Sequence, residues 1–214
     1  MQTLTEKLLN VSPDGCFSTD DLFHFVSGSA DARHSLIKRA VVAGEIIRVR
    51  RGLYCLGPPY RRDPVNLHTV AQYIYGPSYI SLESALSYHG WIPEAVYTVT
   101  SASVGESKTF RTPLGTFRYT RIPQNRFFSA VERTVGDGSR DIALIARPIK
   151  ALADYVYAYR KDWNSLDPVV HDLRIDREDL ATVSEEDLEE AMESYRSRRV
   201  RRFLSAVRSE LGFA

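Results

Sequence analysis

The chain has 214 residues, 43% of them hydrophobic and 26% charged, with a formal net charge of +1. The apolar fraction is enough to build a real core, the net charge by itself says nothing about nucleic acid, and the length suits a small head followed by a larger body. No apolar run approaches the ~20 residues that a membrane-spanning helix needs, and Met1–Asn10 is amphipathic rather than a secretory leader, so a cytoplasmic protein is expected.

The first third reads as three helices and a hairpin. Leu4, Leu8 and Leu9 fall at helical spacing, and Pro13-Asp14-Gly15 ends that helix in a turn. Ser18-Thr19-Asp20-Asp21 then supplies an N-cap with an acid three residues on. Leu22, Phe23 and Phe25 give this second helix its apolar residues, and Ser27-Gly28-Ser29 breaks it. A third helix is expected from Ala30 to Ala43, with Gly44 as its left-handed cap. Ile46-Ile47-Arg48-Val49 and Leu53-Tyr54-Cys55-Leu56 follow as two β-type runs around Arg50-Arg51-Gly52, a hairpin with glycine at the turn. Cys16 and Cys55 show no metal or redox spacing and read as two reduced thiols.

Gly57-Pro58-Pro59-Tyr60-Arg61-Arg62-Asp63-Pro64 is the clearest boundary, because three prolines and a glycine in eight residues continue neither helix nor sheet. Beyond it, Asn66–Tyr75 and Ser81–His89 read as helices. Ala95–Thr100, Lys108–Thr112 and Thr116–Ile122 read as strands, the last two joined by Pro113-Leu114-Gly115. A helix over Ile149–Tyr159 and one long helix from Glu185 to about Leu211 complete the pattern. Ser184 caps the long helix, and Leu188, Met192, Tyr195, Phe203, Val207 and Leu211 form its apolar stripe. The expected class is α+β: a winged helix-turn-helix over residues 1–57, then a larger mixed α+β domain over 64–214 with a helical C-terminus.

Charge is distributed unevenly. Residues 31–62 carry eight Arg or Lys against Asp31 and Glu45, residues 171–194 carry ten acids against two Arg, and residues 195–208 carry six Arg and no acid. Laid out at ~100° per residue, the third helix places Leu36, Ile37, Ala40 and Val41 on one side and His34, Ser35, Lys38, Arg39 and Val42 on the other. That split suits a recognition helix in the major groove of double-stranded DNA, and it puts Arg33 on the apolar side. Strand alternation sends Arg48 and Arg50 to one face, so with Arg51 they form a basic wing for phosphate or minor-groove contact. Ser81, Glu83 and Ser84 suggest a catalytic set, but their spacing reads better as helix-start structure, and His89 as a helix C-terminal residue.

Tyr79-Ile80-Ser81-Leu82-Glu83-Ser84-Ala85-Leu86-Ser87-Tyr88-His89-Gly90-Trp91-Ile92-Pro93-Glu94 resembles the signature of the AbiE-type antitoxins of bacterial type IV toxin–antitoxin systems. Pro113-Leu114-Gly115-Thr116-Phe117 and the block Ile145–Tyr155 resemble two further blocks of that family, and Gly44–Tyr54 is similar to its wing. Ile149 departs from the pattern, where an acidic residue is expected. The resemblance spans residues 1–160. It implies a repressor of its own operon, bound to operator DNA at inverted repeats, whose body opposes a co-encoded nucleotidyltransferase-like toxin by direct binding or indirectly.

The C-terminal arginines Arg198, Arg201, Arg202 and Arg208 spread over the side of the last helix away from Phe203 and Val207. Three readings stay open for them: a second nucleic-acid surface, a docking face for the toxin or its RNA substrate, or a solvated helix paired with the acidic segment before it. A ligand-sensing winged-helix transcription factor without a toxin partner is the alternative to the antitoxin. An enzyme such as a nuclease lacks support, since no carboxylate cluster, His/Cys metal spacing or glycine-rich phosphate loop is present. No cofactor and no metal are expected.

Overall fold

The computed structural model describes residues 8, 15–61, 63–135 and 142–213. The chain runs β1 (Cys16–Ser18), α1 (Thr19–Phe25), α2 (Ala30–Val42), β2 (Ile46–Arg50) and β3 (Leu53–Leu56), then a single 3-10 turn at Pro58–Tyr60. It continues with α3 (Leu67–Ile74), β4 (Ser78–Ile80), α4 (Leu82–Tyr88), β5 (Thr98–Ser103), β6 (Lys108–Thr112), β7 (Gly115–Arg121), β8 (Val131–Val135) and β9 (Ile142–Ala146). Helices α5 (Pro148–Ala158), α6 (Asp167–Leu173), α7 (Arg177–Leu180), α8 (Glu185–Ser194) and α9 (Arg198–Glu210) follow. The protein is therefore mixed α+β. The expected first helix and its Pro13-Asp14 turn lie outside the described residues except for Leu8, which is helical and buried.

Two sheets organise the chain. The first is antiparallel with strand order β1-β3-β2, and the second is mixed with order β6-β7-β5-β4-β9-β8. In the second, β5 runs parallel to β7, β4 parallel to β9, and the other pairs are antiparallel. β9 is the continuous apolar run Ile142-Ala143-Leu144-Ile145-Ala146, as suits an interior strand packed on both faces. β5 is built instead from small polar residues, with Thr100, Ser101 and Ser103 buried. Thr100 Oγ1 donates to the Ser81 carbonyl at 2.7 Å, Ser103 Oγ donates to the Gly105 carbonyl at 3.1 Å, and the Thr100 amide donates to Ser84 Oγ at 2.8 Å. β4 turns directly into α4 through Leu82 at φ +56°, a left-handed conformation that costs a non-glycine residue about 1–3 kcal/mol. Complete burial of the Leu82 side chain holds it there.

The long C-terminal helix expected from the sequence is in fact two helices. Tyr195 is extended (φ −110°, ψ 137°) between α8 and α9, and its side chain turns into the core. Continuing the helix through Tyr195 would forgo that burial, together with the hydrogen bond from its hydroxyl to Asp154.

Packing falls into two clusters. Leu8, Phe17, Leu22, Ile37, Ala40, Ile46, Tyr54 and Leu56 form the smaller one, between α1, α2 and one face of the first sheet. The larger cluster fills the body and takes in Cys16, Val49, Leu53 and Cys55 from the opposite face of that sheet. Cys16 and Cys55 are register partners on β1 and β3 and are joined in a disulfide. The expectation of two reduced thiols is corrected by a pairing that strands 39 residues apart make possible.

Candidate nucleic-acid interface

α1 begins in a capping box. Ser18 Oγ accepts from the Asp21 amide at 3.1 Å while Asp21 Oδ2 accepts from the Ser18 amide at 2.7 Å, which satisfies amides that a helix start leaves open. α2 is capped by Ser29, whose Oγ accepts from the Ala32 amide at 3.3 Å. Arg33 Nε donates to the Gly28 carbonyl at 2.8 Å, and its guanidinium lies 5.2 Å from the Phe23 ring centroid. Arg33 is thus a brace between α1 and α2, in keeping with its place on the apolar side.

The rest of α2 divides cleanly. Ile37 and Ala40 are buried, Leu36 and Val41 half-buried, and His34, Ser35, Lys38, Arg39 and Val42 exposed. His34 is steadied by a 2.7 Å hydrogen bond between Nδ1 and the Ala30 carbonyl and by edge-on packing against Phe23. One helix face therefore presents two cations, a hydroxyl, an imidazole and one methyl-bearing side chain.

The hairpin of β2 and β3 turns at Arg51-Gly52, with Gly52 at φ +81°, where a side chain would be strained. Its tip is pinned to α1 by the Thr19 amide donating to the Gly52 carbonyl at 3.0 Å. Its base is pinned at Gly57, where a Cβ would fall 2.0 Å from the Gly44 carbonyl oxygen, so only glycine fits.

Within the hairpin the expected pairing of Arg48 with Arg50 on one face does not hold. Arg48 is opposite Tyr54 and Arg50 opposite Leu53, so Val49 is an extra residue in β2 and forms a β-bulge. Tyr54 belongs to the smaller cluster and Leu53 to the larger, which puts Arg48 on the helix side of the sheet and Arg50 on the body side. The Arg50 guanidinium donates to the Ile74 carbonyl at the end of α3 and lies 5.9 Å from the Phe110 ring centroid. The structure thus brings His34, Ser35, Lys38 and Arg39 together on α2 and leaves Arg48, Arg50 and Arg51 exposed on the hairpin, with the Arg50 guanidinium directed toward the body. We expect Arg50→Ala to lower stability by about 1–2 kcal/mol through the unpaired Ile74 carbonyl. Denaturant melts of the variant and the wild type check it.

Residues 12–57 match the AbiEi antitoxin family of transcriptional regulators. The matched span covers α1, α2 and the hairpin, including the Gly44–Tyr54 block; the three other blocks that resemble AbiE-type antitoxins lie outside it. No curated protein matches the chain.

Beyond the AbiEi-matched segment, the tempting Ser81, Glu83 and Ser84 point to three different places. Ser81 Oγ donates to Asp154 Oδ2 at 2.6 Å, Ser84 Oγ faces the β5 backbone, and Glu83 pairs with Arg118 and the Tyr159 hydroxyl. They do not form a common site. His89 caps α4 and hydrogen-bonds the Ala146 carbonyl at 2.9 Å. Sequence reading missed a buried polar network in this region. Asp154 accepts from Tyr79 Oη (2.8 Å), Ser81, Tyr195 and Gln124 Nε2 (2.8 Å), and Lys150 Nζ reaches Gln124 Oε1 at 2.5 Å between the Tyr79 and Tyr195 rings. Burial pushes Asp154 above its ordinary carboxylate value and lowers Lys150 to about 8. The i, i+4 spacing of Lys150 and Asp154 on α5 was the available signal. Among the described residues no group of three or more His, Cys, Asp or Glu is placed to hold a metal ion, and no helix is long and apolar enough to cross a membrane.

Proposed function

We propose that the chain is the antitoxin of a type IV toxin–antitoxin system and a repressor of its own operon. In this reading residues 1–57 work as a winged helix-turn-helix. α2 enters the major groove of double-stranded DNA with His34, Ser35, Lys38 and Arg39, and Val42 offers an apolar group to a thymine methyl. Arg48 and Arg51 on the wing meet phosphates and set the register. The body beyond Pro64 acts in the cytoplasm against a nucleotidyltransferase-like toxin. One observation carries the reading: the polar and cationic face of α2 is exposed along its length while Ile37 and Ala40 bury the other, inside the segment that matches transcriptional regulators.

Binding to the region upstream of the gene tests it. We expect Lys38→Ala, Arg39→Ala and Arg51→Ala together to weaken operator binding at least a hundredfold at physiological salt, with discrimination from unrelated duplex lost. If sequence preference survives the triple variant, this docking is wrong. Half-sites of an inverted repeat should lie near multiples of ~10.5 bp, on one face of the duplex.

A ligand-sensing regulator without a toxin is the second reading. It draws on a cleft of about 300 Å³ beneath the hairpin, lined by Cys16, Phe17, Ser18, Arg51, Leu53 and Tyr73 among others. A neighbouring gene for a nucleotidyltransferase favours the antitoxin, and its product co-purifying with the chain would mark direct antagonism.

A further inference from the structure

The arginines of α9 divide into two groups in the structure. Arg208 turns back onto α8, 3.2 Å from Glu185 and 3.7 Å from Glu189, and so leaves the basic surface expected from the sequence. Arg202 pairs with Asp162 across an exposed edge. Arg198 and Arg201 are exposed, and no acid among the described residues lies within ion-pair distance of either. Val200, Phe203, Leu204 and Val207 bury the opposite face. The helix holds five arginines, no lysine and a single glutamate, Glu210.

We infer that the outer face of α9, through Arg198, Arg201 and Arg202, is a second nucleic-acid surface that grips the phosphate backbone of duplex DNA. Three properties of the face support this occupant. Guanidinium is the side-chain cation whose planar fork matches a phosphate in two hydrogen bonds, and all the cations here are arginine. The other exposed residues of the helix are Ser205, Ser209 and, at its far end, Glu210, without the buried aromatic or aliphatic anchor that a protein partner would need. The first turn, where the helix dipole favours acids, holds Arg198, Arg199 and Arg201 and no acid. That placement disfavours the helix alone, and a polyanion seated on the face offsets it.

The choice of duplex DNA over RNA rests on the function proposed above. A head bound to its operator presents this face with DNA backbone at high effective concentration. The contact would be indifferent to sequence, adding affinity and salt dependence without discrimination.

The test uses the full chain in four forms: wild type, Arg198→Gln/Arg201→Gln/Arg202→Gln, the head triple variant, and both sets combined. Each is titrated by anisotropy against operator duplex, unrelated duplex and a structured RNA between 50 and 200 mM salt. For the α9 variant the log–log salt slope should fall by about 2 to 3 on both duplexes, at ~0.9 per phosphate. Preference for the operator and the melting midpoint should stay unchanged. The head variant should retain weak, unselective duplex binding that the combined variant loses. An unchanged slope in the α9 variant overturns the inference while leaving the head reading intact. Loss confined to the α9 variant, with the head variant still selective, removes the head reading and keeps the surface. Tighter binding to RNA than to unrelated duplex, abolished by the α9 changes, overturns the assignment to DNA.

Discussion

Asp154→Ala should destabilise the protein by about 3–5 kcal/mol, the effect expected when one charge of a buried pair is removed. The carboxylate accepts from Tyr79, Ser81, Tyr195 and Gln124, and the Lys150 ammonium, bonded to Gln124, acts on it electrostatically in a site with no exposed side chain. Alanine would leave Lys150 without the nearby carboxylate and four donors without this acceptor. For a chain of this length the melting midpoint should fall by roughly 10 °C. Asp154→Asn, which keeps one acceptor oxygen, should cost less. A midpoint in Asp154→Ala within 2 °C of the wild type would show that the network is dispensable.

The same network predicts a pH dependence. Burial lowers Lys150 from 10.5 in the unfolded chain to about 8 in the folded one, so the folded state releases its proton first. Where the unfolded state binds more protons, stability rises with pH. Lys150 should therefore contribute a gain of about 2–3 kcal/mol between pH 7 and 10. Asp154 shifts upward and acts with the opposite sign in the acid range: its contribution to stability falls as pH climbs above its ordinary 3.8. The phenols of Tyr79 and Tyr195, both pushed well above 10, reverse the alkaline gain once tyrosines of the unfolded chain ionise. Chemical denaturation at pH 7, 8, 9 and 10 reads the slope. Lys150→Met should flatten it, and an unaltered slope in that variant would assign the effect elsewhere.

Loss of the Cys16–Cys55 disulfide should be the second large effect. The bridge closes a loop of 39 residues that contains α1, α2 and the hairpin. A loop of this length confines the unfolded chain by roughly 2–4 kcal/mol. Cys55→Ala, at a position with no exposure, should lower the stability of the head by that amount plus a small cavity cost. Reductant should reproduce the loss in the wild type and do nothing further in the variant. If reduction leaves the wild-type melt unchanged, the bridge is not formed in solution. Because the bridge joins β1 to β3, reduction should also loosen the packing of α1 and α2 on the first sheet.

Residues whose conformation is set within a few positions were readable from the chain. Ser18 and Asp21 announce the capping box, Ser29 the start of α2, and Gly52 the hairpin turn. The exposed set His34, Ser35, Lys38 and Arg39 follows from helical period alone, since burying Ile37 and Ala40 leaves those side chains outside. β4 and β1, three residues each, are too short for alternation to register. The apolar β9 carries no period either, because both of its faces are covered.

The starts of α1 and α2, the hairpin turn, the outward face of α2 and the basic character of hairpin and last helix are legible in the chain, because spacing, caps and turn residues act locally. Tertiary structure alone decided which cations are free for a partner. Arg50 is lost to the body because one extra residue in β2 reverses the alternation, and Arg208 is lost to Glu185 and Glu189 on α8. Arg198 and Arg201 are exposed, and among the described residues no acid is brought within ion-pair distance of them. Tyr195 breaks the last helix to reach Asp154, and Cys16 meets Cys55, because strands and helices distant in the chain are placed side by side. No period within the chain encodes a meeting of residues 39 or 41 positions apart; burial and hydrogen bonding across the assembled core do.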